Sequence, residues 1–259
     1  MNGVSPEGRK GSGKIRVLHI DAHNLRGGGG LTHLRSLLEH VPGDTSFERI
    51  EVHVGAMARE RLSHLTDQRL EIKWTPPLDG GLLQRVAWHQ RRLPALLARD
   101  EPSVLFSPGG LIPNRIPRRT GAVTMCRNML PFQVEEARRY GLSARRLRMV
   151  VLRTAQLRSF ARAHGVIFAS EFSRERVGCL VKGGVKRAAV VPHGIDERFL
   201  SVGESDAAIP ERIELLYVSP IEPYKHHLEV IQAVEQLREG CFPGLVLRLL
   251  GWAYGPQLR

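Results

Sequence analysis

Leu215-Leu216-Tyr217-Val218-Ser219-Pro220-Ile221-Glu222-Pro223-Tyr224-Lys225-His226-His227 is the stretch that decides the fold. The apolar run 213–218 predicts a short parallel strand buried on both faces. Pro220 and Pro223 cannot continue it and force an extended loop. Beyond the loop, Val230, Ile231, Val234 and Leu237 share one face of a helix. A strand–loop–helix order sets the loop outside the carboxyl end of a sheet, where open α/β sheets bind ligands. Lys225 then stands at a helix N-terminus. Its ammonium and the free N–H groups of the first turn both favour an anion, and a phosphate fits there. A solvated lysine at a helix start is the plain alternative.

The same order repeats upstream. Residues 14–20 read as a strand, followed by Gly27-Gly28-Gly29-Gly30 and a helix carrying Leu31, Leu34, Leu37 and Leu38 to Val41, closed by Pro42-Gly43. Glycines let a backbone approach a ligand closely, and a plain flexible turn explains them equally well. Further strands are expected at 50–54, Leu70–Trp74, 104–107, 122–126, 165–169, 188–191 and 245–250. Helices are expected at 82–98, at 143–164 with Ser143 as N-cap, and after Ser170, a second N-cap. In the 143–164 helix, Leu147, Val150, Val151, Ala155 and Phe160 are expected to face inward. Strands alternating with helices predict an α/β, doubly wound, Rossmann-like parallel sheet.

The chain has 259 residues, a formal charge of +12 and 42% hydrophobic residues, enough for a real core. No apolar run approaches the roughly 18 residues of a membrane span. Residues 1–13 lack the apolar centre of a signal peptide and read as a disordered leader. Cys126, Cys179 and Cys241 are odd in number and far apart, which points to a reducing cytoplasm and neither a disulfide frame nor a zinc site. The positive charge asks for an anionic partner, unless it reflects only an arginine-rich codon bias. Six arginines between Ser143 and His164 make that helix basic. Such a helix can lie on an anionic membrane, or it can simply be a solvated face.

Tyr217-Val218-Ser219-x-Ile221-x-Pro223-Tyr224-Lys225-His226 resembles the opening of the second domain of family 4 glycosyltransferases, which have the GT-B fold. By that resemblance Lys225 contacts the diphosphate of a nucleotide-sugar, and Ser219 matches the small residue that ends the strand. Pro220 stands where many members have arginine. Gly28, Gly29 and Gly30 match a Gly-Gly loop on the donor side of the interdomain cleft. Arg127-Asn128-Met129-Leu130-Pro131 takes the place of a His-Asp segment on the acceptor side. Arginine cannot give up a proton near neutral pH, so the histidine's role does not pass to Arg127. It can hold a phosphate or a sugar hydroxyl, or form an ordinary surface salt bridge. Ser170 through Pro192-His193-Gly194-Ile195-Asp196 to Phe199 matches the end of the family's first domain.

The resemblance implies a GT-B enzyme that transfers a sugar, often of mannose type, from a nucleotide-sugar to a saccharide or lipid-linked acceptor in cell-surface polysaccharide or lipopolysaccharide synthesis. It implies retention of configuration, no metal and no cofactor, since the nucleotide-sugar is a substrate. No catalytic residue is assigned. Glu214 and Glu222 show the family's Glu-x7-Glu spacing by chance, since they straddle a strand. The expected organisation is a leader at 1–13, an acceptor-side domain at 14–200, a linker at 201–212 and an incomplete nucleotide-sugar domain at 213–259. A chain truncated in this way is expected to show little turnover. The expected location is the cytoplasm, peripheral on the inner face of the plasma membrane through 143–164. A basic α/β nucleic-acid-binding protein is the alternative, but aromatic interleaving and a recognised module are missing, so no nucleic-acid partner is expected. An inactive binding remnant is a third reading.

Overall fold

Val, Ile and Leu runs closed by turn residues become seven strands of one parallel sheet. They are β1 (Val17–Asp21), β2 (Arg49–Val54), β3 (Leu70–Trp74), β4 (Ser103–Ser107), β5 (Thr120–Cys126), β6 (Gly165–Phe168) and β7 (Ala188–Val190). They pair in the order β3-β2-β1-β4-β5-β6-β7. The computed structural model describes residues 16–25, 27–41, 47–195, 197–200 and 213–252. The leader, the linker and the Pro42-Gly43 stop lie outside these residues. The connecting helices are α1 (Gly29–His40), α2 (Ala56–Leu62), α3 (Leu82–Ala87), α4 (Leu93–Arg99), α5 (Val134–Arg138), α6 (Ala144–Arg162) and α7 (Glu171–Gly178). A π-helical turn, Trp88–Arg92, joins α3 to α4. The sheet is the α/β, Rossmann-like arrangement expected.

Chain order reverses between β1 and β4. Crevices at such switch points, outside the carboxyl ends of the strands, are where doubly wound sheets take ligands.

The two faces of the β1–β2 region differ. Leu18, Ile20, Ile50, Val52 and Val54 face Leu31, Leu34 and Leu38 of α1 and Ala58 and Leu62 of α2 in a dry core. Each leucine buried there contributes about 1.5–3 kcal/mol. Register places His19 opposite Glu51 and Asp21 opposite His53, so these four share the other face. Trp88 and His89 lie against them, and all six are buried.

The described chain separates into two units. The first runs through Met129 and resumes at Leu152–His193; the second holds Leu130–Val151 and the described residues from Gly194 on. In the second unit β8 (Glu214–Val218) pairs in parallel with β9 (Val246–Leu250), and α8 (His227–Glu239) links them. Gly251 closes the pair: a Cβ there would lie 1.9 Å from the Ser219 carbonyl oxygen. The segment carrying α5 is tied to this unit by side chains. Glu222 accepts hydrogen bonds from Tyr140 and Arg145, and Arg139 pairs with Glu229 at 2.8 Å.

Three expectations are corrected. The strand at 213–218 is not buried on both faces, because β8 has only β9 beside it among the described residues; Leu216 and Val218 are exposed. Leu147, Val150 and Val151 are also exposed. Phe160 is buried as expected, and the rest of the inward stripe of α6 runs through Met149, Gln156 and Ser159, at about the heptad spacing of one helix face. Gly29 and Gly30 lie inside the first turn of α1 and Gly28 is its N-cap, so the helix begins before Leu31. Ser170 caps α7 as expected, in a reciprocal capping box with Ser173.

Candidate functional site

The loops after β1, β4 and β5 meet at the switch point. Asn24 donates from Nδ2 to the Gly109 carbonyl at 3.0 Å, spanning β1 and β4. Arg127 leaves β5 and folds back over both loops. Its Nε donates to the Pro108 carbonyl at 2.7 Å and its Nη1 to the Gly30 carbonyl at 3.4 Å. Gly30 leaves room for this approach, since a Cβ there would sit 3.2 Å from the Arg127 guanidinium. Arg127 is therefore a loop anchor rather than a surface ion pair. Asn128 is exposed.

Around the start of α1 the charges are one-sided. Gly28, at φ 62°, is an N-cap without a side-chain hydrogen bond, and the first turn holds no acidic residue. His33 meets His193 edge-on, with ring centroids 4.8 Å apart. Burial, and then the charges of His193 and Arg127, lower the His33 pKa. The sequence-derived residues Gly28, Gly29, Gly30 and Arg127 thus come together with two histidines at a helix start.

Beside them lies a group the sequence reading missed. Asp21 ends β1, fully buried. Its Oδ1 accepts the His23 backbone N–H at 3.1 Å and its Oδ2 lies 2.8 Å from His23 Nδ1. His89 Nε2 faces the same Oδ2 at 3.3 Å, off the line of a good hydrogen bond. Burial alone would raise the Asp21 pKa. The charge and hydrogen bond of His23, then those of His89, outweigh it and hold the carboxyl well below the usual range.

The tautomers follow from their partners. The Asn114 backbone N–H donates to Gln90 Oε1 at 2.8 Å, so the Gln90 amide nitrogen is the atom 2.9 Å from His89 Nδ1. Nδ1 accepts there, and the ring proton of neutral His89 sits on Nε2, facing Asp21. Asp21 likewise draws the His23 proton to Nδ1.

A second cluster lies deeper on the same face. His19 Nδ1 is 3.3 Å from His53 Nε2, and His19 Nε2 is 3.2 Å from Asp100. Glu51 meets Lys73 at 2.6 Å and Arg49 at 3.2 Å. Burial, then the charge of His19, push the His53 pKa down to about 4 against the pull of Asp21 and Glu51. Two triplets, His19-Glu51-His53 and Asp21-His23-His89, have ligand atoms near enough to hold a cation. Ion pairs and hydrogen bonds take up most of these atoms, while His19 Nε2 and His89 Nε2 face carboxylates without a well-aligned hydrogen bond. Glu51 is already neutralised by two cations, and His89 Nε2 carries a proton where a metal would need a lone pair.

In the second unit, Pro223–Lys225 forms a single 3-10 turn ahead of α8. His226, in the left-handed region at φ 56°, is the N-cap and gives no side-chain cap. Tyr217 Oη donates to the Lys225 carbonyl at 2.6 Å and fixes the turn to β8. The Lys225 ammonium lies 5.0 Å from the Tyr224 ring centroid, and among the described residues it has no carboxylate partner. Ser219 is buried, and its hydroxyl donates to the Pro220 carbonyl at 3.2 Å. His227 is buried against Tyr217, and neither ring nitrogen has a partner among the described residues. Glu214 is taken up by Arg248 across the β8–β9 pair, which accounts for it structurally.

No protein-family model and no curated protein matches the chain.

Proposed function

We propose that the protein is a glycosyltransferase of the GT-B kind, moving a sugar from a nucleotide-sugar to a saccharide or lipid-linked acceptor, with retention and without a metal. The observation that carries this reading is the entry to α8. A parallel strand runs into a turn ending in Lys225, and the helix behind it has no side-chain cap from its N-cap residue His226, with Glu229 the one carboxylate in its first turn. A diphosphate satisfies both the ammonium and the helix terminus, and growing charge on a leaving diphosphate is stabilised there. The Gly28–Gly30 helix start, with Arg127, His33 and His193 around it, supports the same ligand class in the first unit. Arg127 and Asn128 are assigned to the acceptor side and Ser219 to the donor side, as the resemblance implies. A mannose-type sugar and a role in cell-surface polysaccharide synthesis belong to the same proposal.

Titration calorimetry with GDP and UDP tests it. Lys225→Ala should weaken the bound nucleotide by about 1.5–3 kcal/mol, the worth of a charge-assisted contact. Arg127→Ala should cost less, because Arg127 is spent on the Pro108 and Gly30 carbonyls. Equal affinities for wild type and Lys225→Ala would refute the assignment.

A further inference from the structure

We infer that α3 and the turn before it form a surface that docks on an anionic lipid bilayer. The inference stands apart from the transferase reading and uses the first unit alone.

α3 carries apolar residues with nothing to bury them against. None of its residues is buried. Leu82, Leu83 and Val86 are exposed, Leu83 to 83%. Single exposed leucines need no explanation, but these three share one flank of one helix. Trp74 at the end of β3 and Met57 in α2 are exposed as well. Asp79, just ahead of α3, holds both nearby. Its Oδ2 accepts the Trp74 indole N–H at 2.7 Å, and its Oδ1 accepts the backbone N–H of Ala56, next to Met57, at 2.8 Å. The apolar side chains are therefore set on a backbone that is already tied together. A different flank of α3 carries Gln84 and Ala87. There Pro76, Pro77, Trp88, Arg91 and Arg92 line a cavity of about 490 Å³. It has room for a phosphate headgroup, and guanidinium groups pair well with phosphate oxygens.

Charge and shape name the occupant. From Gly80 to Arg99 there are four arginines and no Asp or Glu, so this surface attracts anions. A projecting ridge of leucines would need a matching groove on a protein partner, whereas a bilayer yields to it. Leucines flanked by tryptophan and arginine suit the boundary between headgroups and acyl chains. The indole and the guanidinium stay among the headgroups while the leucines enter below them. This surface is distinct from the arginine-rich start of α6.

Co-sedimentation of the whole chain tests this with vesicles of phosphatidylcholine alone and of phosphatidylcholine mixed with phosphatidylglycerol. The mixed vesicles should bind the protein and the neutral ones much less. Leu82→Gln/Leu83→Gln/Val86→Gln alters only exposed side chains, so its circular dichroism should be unchanged. It should lower partition into the mixed vesicles about tenfold or more. Arg91→Gln/Arg92→Gln should lower it about fivefold for each charge removed at low salt. A second measurement places the face. An environment-sensitive dye on Leu83→Cys, with the exposed Cys179 and Cys241 changed to serine, should shift to the blue and be quenched by brominated lipid on binding. Any of four results overturns the inference and leaves the transferase reading untouched: no binding to mixed vesicles, equal binding to neutral ones, undiminished binding by the triple variant, or a dye at position 83 that stays in water while the protein is bound.

Discussion

Lowering the pH should loosen the first unit, and His53 should carry a measurable part of the loss. Its imidazole is 2% exposed and stacked on His19 with ring centroids 5.6 Å apart. Burial and the His19 charge bring its pKa from 6.5 to about 4. In the unfolded chain this ring takes a proton as the pH falls through 6.5; in the folded protein it does not until near 4. The unfolded state therefore binds more protons across that window, so stability is complete above it and is lost as the pH drops. A tenfold difference in proton affinity between the two states is worth about 1.4 kcal/mol, so the loss from His53 is about 2 kcal/mol at pH 5 and about 3 kcal/mol at pH 4. The assay is urea unfolding of wild type and His53→Gln at pH 7 and pH 5. Gln keeps a donor for His19 Nδ1 but does not titrate. Wild type should lose about 2 kcal/mol more than the variant between the two pH values. Equal losses would refute the assignment of a neutral, desolvated imidazole.

Gly251→Ala should destabilise the β8–β9 pair by about 1–3 kcal/mol, because the new methyl meets the Ser219 carbonyl; hydrogen exchange at Ser219, whose N–H bonds the Leu250 carbonyl, would then speed up. Ser170→Ala should cost about 1 kcal/mol through loss of the α7 capping box, read as a lower thermal midpoint. The first half of α6 should bind anionic vesicles weakly at low salt. Leu147, Val150 and Val151 are exposed beside Arg148, and each basic side chain near such a surface adds about 1 kcal/mol. Co-sedimentation that is absent at low salt, or unchanged by added salt, would count against that surface.

The sheet was legible because most of its strands are short apolar runs rich in Val, Ile and Leu that end at turn residues such as Gly55, Pro108 and Asn128. The candidate site was legible only in part. Gly28–Gly30 and Lys225 stand out by type and position, but Asp21, His23 and His89 do not. The signal was there: His19, Asp21 and His23 recur at every second residue, and Glu51 and His53 do the same one strand over. An eye counting apolar residues reads both runs as dry strands. Period-two alternation makes one face of them polar, and only the covering Trp88 and His89 turn that face into a buried network. His89 lies far away in sequence, and nothing local announces the contact. α6 misled for a related reason. Its two candidate stripes have similar apolar content, and the one that packs includes Gln156, whose amide lies against Gly110, and Ser159, whose hydroxyl accepts the Ile112 N–H. That residues 130–151 join the second unit depends on Tyr140 and Arg145 reaching Glu222, a pairing of side chains remote in sequence.

The central claim is that a diphosphate binds at the start of α8, and backbone amide spectra recorded during a GDP or UDP titration test it most directly. The account predicts saturable shifts at Lys225, His226, His227 and Leu228, lost in Lys225→Ala. Shifts confined to the arginine-rich α6, fading with salt and indifferent to Lys225, would contradict it, as would no shifts at all.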